Sequence, residues 1–283
     1  MAYEYIRVEE HDGVLVSTMD DPKVRNAIGP EMQNELNTEL ARLDASPKLR
    51  CLVLTGKDPS FCSGANVRGM ARRIEKQEQA PERPASLPSR PWDAVEQRLK
   101  HASPDPELES FPPMTLHRLQ KPSIAAVNGH AMGLGTGLAL SCDIRIASER
   151  AGFSETFIQR GLIPADGSCW QLPRMIGLSD TFLMQYTGDV LDANTALRLG
   201  LVSKVVPHER LMEEAVALAQ RLASSATYSA GLIKWLVHRS LQVSFEDALG
   251  LGRVAQTVAR DTYDHKEGVQ SFIEKRKPQF QGR

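Results

Sequence analysis

Cysteine is scarce in this sequence, four in 283 residues, and none of Cys51, Cys62, Cys142 and Cys169 stands in a C-x-x-C pair. That spacing argues against a zinc site or a disulfide framework and leads us to expect reduced thiols, mostly in apolar surroundings. An excess of one charge is also missing. Lys and Arg number 34 against 35 Asp and Glu, a net charge of −1, which gives nucleic acid no extended basic surface to bind. The N-terminal MAYEYIRVEE has no apolar signal core, so a cytoplasmic or matrix-like location is expected, with no membrane partner. Neither H-E-x-x-H nor G-x-S-x-G occurs, which removes the motifs of zinc proteases and of nucleophile-elbow hydrolases. What remains is a chain long enough to bury a large core, as one big domain or one domain with an appendage.

The most informative stretch is Lys121 to Asp143, KPSIAAVNGHAMGLGTGLALSCD. Ser123 to Val127 is short, apolar and bounded by a proline and an Asn-Gly pair, the pattern of a strand covered on both faces. Gly129, Gly133, Gly135 and Gly137 then strip away side chains where Leu138, Ala139 and Leu140 announce a helix. Backbone N–H groups at such a helix start can face a ligand closely, so the stretch reads as a pocket that stabilises an anion. A packed membrane span is another reading, opposed by Asn128 and His130 in mid-span and by the helix-weakening glycines. A dinucleotide fingerprint is a third, but G-x-G-x-x-G is not matched. Close strand-helix packing without function is the fourth.

Around this stretch the elements follow in order. Tyr5 to Val8 and Val14 to Met19 read as a hairpin through His11, Asp12 and Gly13, and Pro30 opens an amphipathic helix with Met32, Leu36, Leu40 and Leu43 on one stripe. Leu49 to Leu54 reads as a buried strand running into TGKDPSFCSGANVRGMA, a second junction from strand to small residues. From Arg72 to Leu119 the prolines exclude one continuous helix, and a solvated excursion with a short helix around Trp92 to Lys100 is expected. Thr156 with Gln159 fits a capping box that sets Glu155 just outside a helix start, and Asp166 fits an N-cap. Ser179 and Asp192 look like further N-caps, and Gly200 like a C-cap. After Pro207 the pattern is all helical, with stripes at Leu211, Ala215, Leu218 and Leu222, at Leu232, Trp235 and Leu236, and at Val269, Phe272 and Ile273.

FCSGANV, the central stretch continued through DIRIAS, FSETFIQRGLIPADGSCWQLPRMIG, TGDVLDANTALRLGLVSKVVP and KEGVQSFIEKRKPQF together resemble the crotonase superfamily, the enoyl-CoA hydratase/isomerase family. The likeness runs nearly end to end, with the segment 72–119 longer than in common members. It implies an α/β fold, a crotonase-like spiral of ββα repeats over residues 1–206, and a C-terminal helical trimerisation region over 207–283. A homotrimer or dimer of trimers is implied with it. The implied substrate is an acyl-CoA thioester, with no cofactor beyond the CoA that the substrate carries. Two backbone N–H groups of the family hold the thioester oxygen, and by motif position these fall on Ala65 and Leu134. The CoA contacts carry over more loosely, to Lys23, Val24 and Arg25, to Ser63, Asn66, Val67 and Arg68, to Gly133, and to Lys275, Lys277 or Phe280.

The departures are as informative. Family hydratases use two glutamates, and here those positions hold Gly137 and Phe157, neither of which moves a proton. Glu155 lies two residues before the second lost position. Asp166 lies in a P-x-D-G loop where some family isomerases carry an aspartate. The two are the candidate proton carriers, and one carboxylate serving one face of an enoyl chain suffices for double-bond migration. Isomerisation is therefore weighted slightly above hydration, with a non-catalytic acyl-CoA binder as the further alternative.

Overall fold

Residues 3–66, 91–100 and 102–283 are described by the structure, a computed structural model, with backbone alone at residue 97. The chain opens with a hairpin, β1 (Ile6–His11) and β2 (Val14–Met19), paired antiparallel from Ile6↔Met19 to His11↔Val14. Helix α1 (Pro30–Ala45) begins on Pro30 and buries Met32, Leu36, Leu40 and Leu43, because a fixed proline φ suits the first turn and the 3–4 spacing makes one apolar stripe. Strands β3 (Cys51–Gly56) and β4 (Ser60–Cys62) follow, buried at every position, as expected where parallel strands are covered on both faces.

Beyond them come α2 (Pro91–Leu99), α3 (Pro112–Arg118), β5 (Ser123–Val127), β6 (His130–Met132) and α4 (Leu134–Ser141). Strands β7 (Ile144–Ser148) and β8 (Gly152–Ser154) lead to α5 (Ser168–Met175) and α6 (Gly177–Thr187). Then β9 (Leu191–Asp192), α7 (Ala193–Leu199) and β10 (Lys204–Val206) complete the sheets, and α8 (Leu211–Ala223), α9 (Thr227–Ser240), α10 (Phe245–Arg260) and α11 (Tyr263–Ile273) end the chain.

The strands form a six-stranded sheet in the order β1-β2-β3-β5-β7-β10 and a four-stranded sheet in the order β4-β6-β8-β9. Each turn of the chain lays one strand in the large sheet and the next in the small one, β3 then β4, β5 then β6, β7 then β8. That is the spiral of ββα units. Its core is filled by Leu15, Leu52, Leu54, Phe61, Leu138 and Phe153 among others, where truncating a leucine to alanine costs about 2–5 kcal/mol. On the other face of the large sheet α8 packs Leu211, Ala215, Ala219 and Ala223 against Val14, Val16, Val53 and Ile124. The contact row is mostly alanine, which lets helix and sheet approach, while Leu218 and Leu222 flank it half-buried.

Three local expectations are corrected by the packing. The solvated excursion drawn to Leu119 ends earlier, because Leu116 and Leu119 lie in the core and Asn37 and Gln33 of α1 bond the Ser110 carbonyl. Pro112 and Pro113 stand in the first turn of α3, so no helix runs through them, as expected. The Thr156–Gln159 capping box does not form: residues 158–160 make one 3₁₀ turn, and the Gln159 amide donates instead to the Gly188 carbonyl at 3.1 Å. Ser179 lies inside α6, which starts at Gly177, whereas Asp192 caps α7 through the Thr195 N–H at 2.7 Å.

Helix α9 is tied to the core by Lys234, whose ammonium meets Asp143 at 3.0 Å and the Leu116 carbonyl at 3.2 Å, and by His238 Nδ1 at 3.0 Å from His117 Nε2. Between α9, α10, α11 and the tail runs an apolar cavity of about 580 Å³, lined by Leu232, Leu236, Ala255, Val269, Phe272 and Phe280 among others. Among the described residues no helix is long and apolar enough to cross a membrane.

Candidate active site

Three parallel strands of the small sheet end side by side. In register, Cys62 pairs with Ala131, and Met132 pairs with Ser154. Chain continuation then carries Ala65, Leu134 and Glu155 to one rim, three, two and one residues past the strand ends. The Gly133 N–H donates to the Ser154 carbonyl at 2.7 Å, which fixes the second loop against the third.

The first loop is pinned from two directions. Ile28 bridges Ala65 in parallel through the Gly64 carbonyl at 2.8 Å and the Asn66 N–H at 3.0 Å, a bridge that leaves the Ala65 N–H outside it. Gly64 has φ +100°, and a Cβ there would stand 2.7 Å from the Met132 carbonyl oxygen and 3.7 Å from the Leu134 nitrogen. Only glycine allows both that backbone conformation and that approach. Leu134 is the first residue of α4, so its N–H has no carbonyl within its own helix to meet. Two amide donors on abutting loops, one of them at a helix N-terminus, suit an oxygen that gains negative charge.

The two candidate proton carriers are both buried. Glu155 is 0% exposed and Asp166 2% exposed. Asp166 leans on α4 at Gly137, where a Cβ would stand 2.6 Å from Asp166 Oδ2 and 2.7 Å from its Cγ. Glycine at 137 is thus the vacancy that the aspartate fills. One oxygen of Asp166 is committed: Oδ1 accepts the Ser168 hydroxyl at 2.7 Å and the Ser168 N–H at 3.1 Å. Asp166 Oδ2 and both oxygens of Glu155 are buried without a hydrogen-bond partner. Such groups are rare and costly away from function.

Burial pushes the Glu155 carboxyl up to about 10, with the neighbouring Asp166 charge adding to the rise. Burial also raises Asp166, but the hydrogen bonds from the Ser168 hydroxyl and N–H pull it back. Both carboxyls are thus pushed toward their protonated forms, with the Ser168 bonds opposing the rise at Asp166. Phe157 sits over the second loop, its Cε2 3.4 Å from where a side-chain carbon at Gly133 would stand, so the position of the second family glutamate is apolar.

Other residues named from the sequence divide by location. Ser63 joins the first loop to the segment of Lys23, Val24 and Arg25, donating its hydroxyl to the Val24 carbonyl at 2.9 Å and its N–H to the Arg25 carbonyl at 3.0 Å. Buried Asn26, overlooked in the sequence, holds that segment by donating to the carbonyls of Lys57 at 2.8 Å and Ser60 at 2.7 Å. Asn66 continues the loop, and Val67 and Arg68 lie outside the described residues. Of Lys275, Lys277 and Phe280, Phe280 lines the cavity between the C-terminal helices. Phe280 offers its carbonyl to Arg50 at 3.0 Å, just before β3 begins, whereas Ala65 lies beyond the far end of that strand. Six strand residues span about 17–20 Å. Ser168 and Gln171 were missed, having no motif of their own. Among the described residues no group of three or more His, Cys, Asp or Glu side chains could hold a metal ion.

The sequence profile of the enoyl-CoA hydratase/isomerase family matches residues 9–90 and 100–283. The crotonyl-CoA hydratase of Syntrophomonas wolfei is 31% identical over 281 residues, covering 99% of this chain and 99% of the relative. The 1,2-epoxyphenylacetyl-CoA isomerase of Escherichia coli is 33% identical over 280 residues, again covering 99% of each. Among solved structures, an enoyl-CoA hydratase subunit I from Geobacillus kaustophilus superposes with TM-score 0.82 at 32% identity over 99% of both chains.

Proposed function

Because this chain belongs to the enoyl-CoA hydratase/isomerase family, we propose that it is an acyl-CoA enzyme that migrates the double bond of an enoyl-CoA thioester through a bound dienolate. The thioester oxygen is held by the N–H groups of Ala65 and Leu134. Asp166 takes a proton from the α carbon of a 3-enoyl chain, and negative charge moves onto that oxygen. Each such donor, aimed where charge develops, is typically worth about 2.7–4 kcal/mol. The same carboxyl then returns the proton at the γ carbon, giving the 2-enoyl product with no net change in protons. Glu155, protonated beside it, keeps a second negative charge out of the buried site. The observation that carries this reading is Asp166 Oδ2, buried, unpartnered and lodged beside Gly137, where the family hydratases place a glutamate.

A second reading, hydration by the same two carboxyls, draws on their shared burial and on the crotonyl-CoA hydratase relative. Against it stand Gly137 and Phe157 in place of both glutamates that activate and protonate in the family. The segment of Lys23, Val24 and Arg25, joined to the first loop by Ser63, is the proposed CoA support. Lys275, Lys277 and Phe280 are the further proposed CoA contacts, and residues 207–283, beyond the core of 1–206, the proposed trimer-forming region.

Turnover of 3-hexenoyl-CoA and of crotonyl-CoA by the parent protein, Asp166→Asn and Glu155→Gln tests this. Isomerisation should exceed hydration in the parent. Asp166→Asn should lose about 10²–10⁴ in kcat while thioester binding persists. Hydration as the faster reaction would favour the second reading, and parental kcat in Asp166→Asn would remove Asp166 from the chemistry.

A further inference from the structure

We propose that Ser168 is the positioning residue that decides which carboxyl of the site is the base, by securing one oxygen of Asp166 and giving Glu155 no comparable bond. The inference rests on the isomerase reading above and goes beyond it to a residue that touches no substrate. Ser168 is 0% exposed and opens α5 directly after the Asp166 loop. Its hydroxyl and its N–H both point at Asp166 Oδ1, at 2.7 and 3.1 Å. A hydroxyl has one proton to donate. Gln185 of α6 donates its amide to the Ser168 oxygen at 3.5 Å, so the Ser168 proton is left for the aspartate.

The consequence is asymmetry. Asp166 is anchored at Oδ1, which turns its unpartnered Oδ2 toward Gly137. Both oxygens of Glu155 lack a hydrogen-bond partner, and the lowering influence of nearby Ser168 is outweighed there by burial and by the Asp166 charge. The titratable groups around Asp166 are Glu155, from the loop after β8, and Cys169, the next residue of α5. Neither supplies positive charge to hold an ionised Asp166. The two hydrogen bonds from Ser168 perform that task, and donation to a charged acceptor is worth about one to two pH units.

The test compares the parent with Ser168→Ala and Ser168→Thr by infrared difference titration of the protonated carboxyl bands, assigned with Asp166→Asn and Glu155→Gln. This reads the protein without substrate. The pH profile of kcat for 3-enoyl-CoA isomerisation is measured alongside. In Ser168→Ala the Asp166 midpoint and the acid limb of kcat should move to higher pH by about one to two units, with KM changed less than kcat. Ser168→Thr, which keeps the hydroxyl, should restore both. A merely structural serine would lower thermal stability and leave midpoint and limb in place, and that result overturns the inference. Should Ser168→Ala fail to fold, Gln185→Met, which frees the hydroxyl to turn, must give a smaller shift of the same sign; a parental midpoint there overturns it equally. Full activity in Asp166→Asn sinks the underlying isomerase reading, whereas an inactive Asp166→Asn with an unshifted Ser168→Ala titration sinks only this one.

Discussion

At the scale of single residues, the site places a carboxyl where a carboxyl is expensive. Glu155 titrates near 4.5 in an unfolded chain and is pushed up to about 10 by burial in the folded one. Between those values the folded protein holds a proton that the unfolded chain has released, so this group costs stability that grows as pH rises, by up to about 1.4 kcal/mol per unit. Glu155→Gln removes that cost. Its thermal midpoint should exceed the parent's by more at pH 8 than at pH 5, and an equal or lower midpoint at pH 8 would mean that Glu155 is not held protonated. The identity of the carboxyls was legible in the sequence, since both glutamates of the family pattern are missing and Glu155 and Asp166 stand nearby. Their burial was not. A solvent-exposed helix entry and an N-cap use the same residue types, and only tertiary packing separates a cap from a base. The expected N-cap role of Asp166 is not realised: Gly167 is the N-cap, and Asp166, one residue earlier, takes the Ser168 N–H on one oxygen while the other has no partner.

At the scale of elements, the two glycine-rich junctions were readable because strand, glycine and helix follow one another in sequence. The short strands β6 and β8 were not, since three residues carry too little pattern. The joint between α3 and α9 was equally hidden, as it brings together residues 121 positions apart. There His117 is held down to about 4 by burial and by His238, with Lys234 and Arg118 adding positive charge and Asp143 opposing them. As pH falls from 6.5 to about 4 the unfolded chain takes up a proton that folded His117 refuses, so stability falls with pH through that window. Urea midpoints at pH 7 and pH 5 should separate more in the parent than in His117→Gln. Equal separation would show that this joint does not sense acid.

At the scale of the whole molecule, the helices after α8 leave much apolar surface uncovered. Phe245 and Val254 on α10 and Phe272 and Ile273 on α11 are 65–86% exposed. Such a surface on a single protomer calls for a partner, and in sedimentation at micromolar concentration the protein should run as a trimer or a multiple of it; a monomer would contradict the assembly. The central claim, however, concerns one proton. The most direct test is to give the enzyme 3-hexenoyl-CoA deuterated at the α carbon, in ordinary water, and to locate the label in the 2-enoyl product early in the reaction. One carboxyl serving both carbons in a buried site predicts that a measurable share of the deuterium reappears at the γ carbon, and that Asp166→Asn abolishes the transfer together with turnover. Product carrying no label at the γ carbon, formed at the parental rate by Asp166→Asn, would contradict the account.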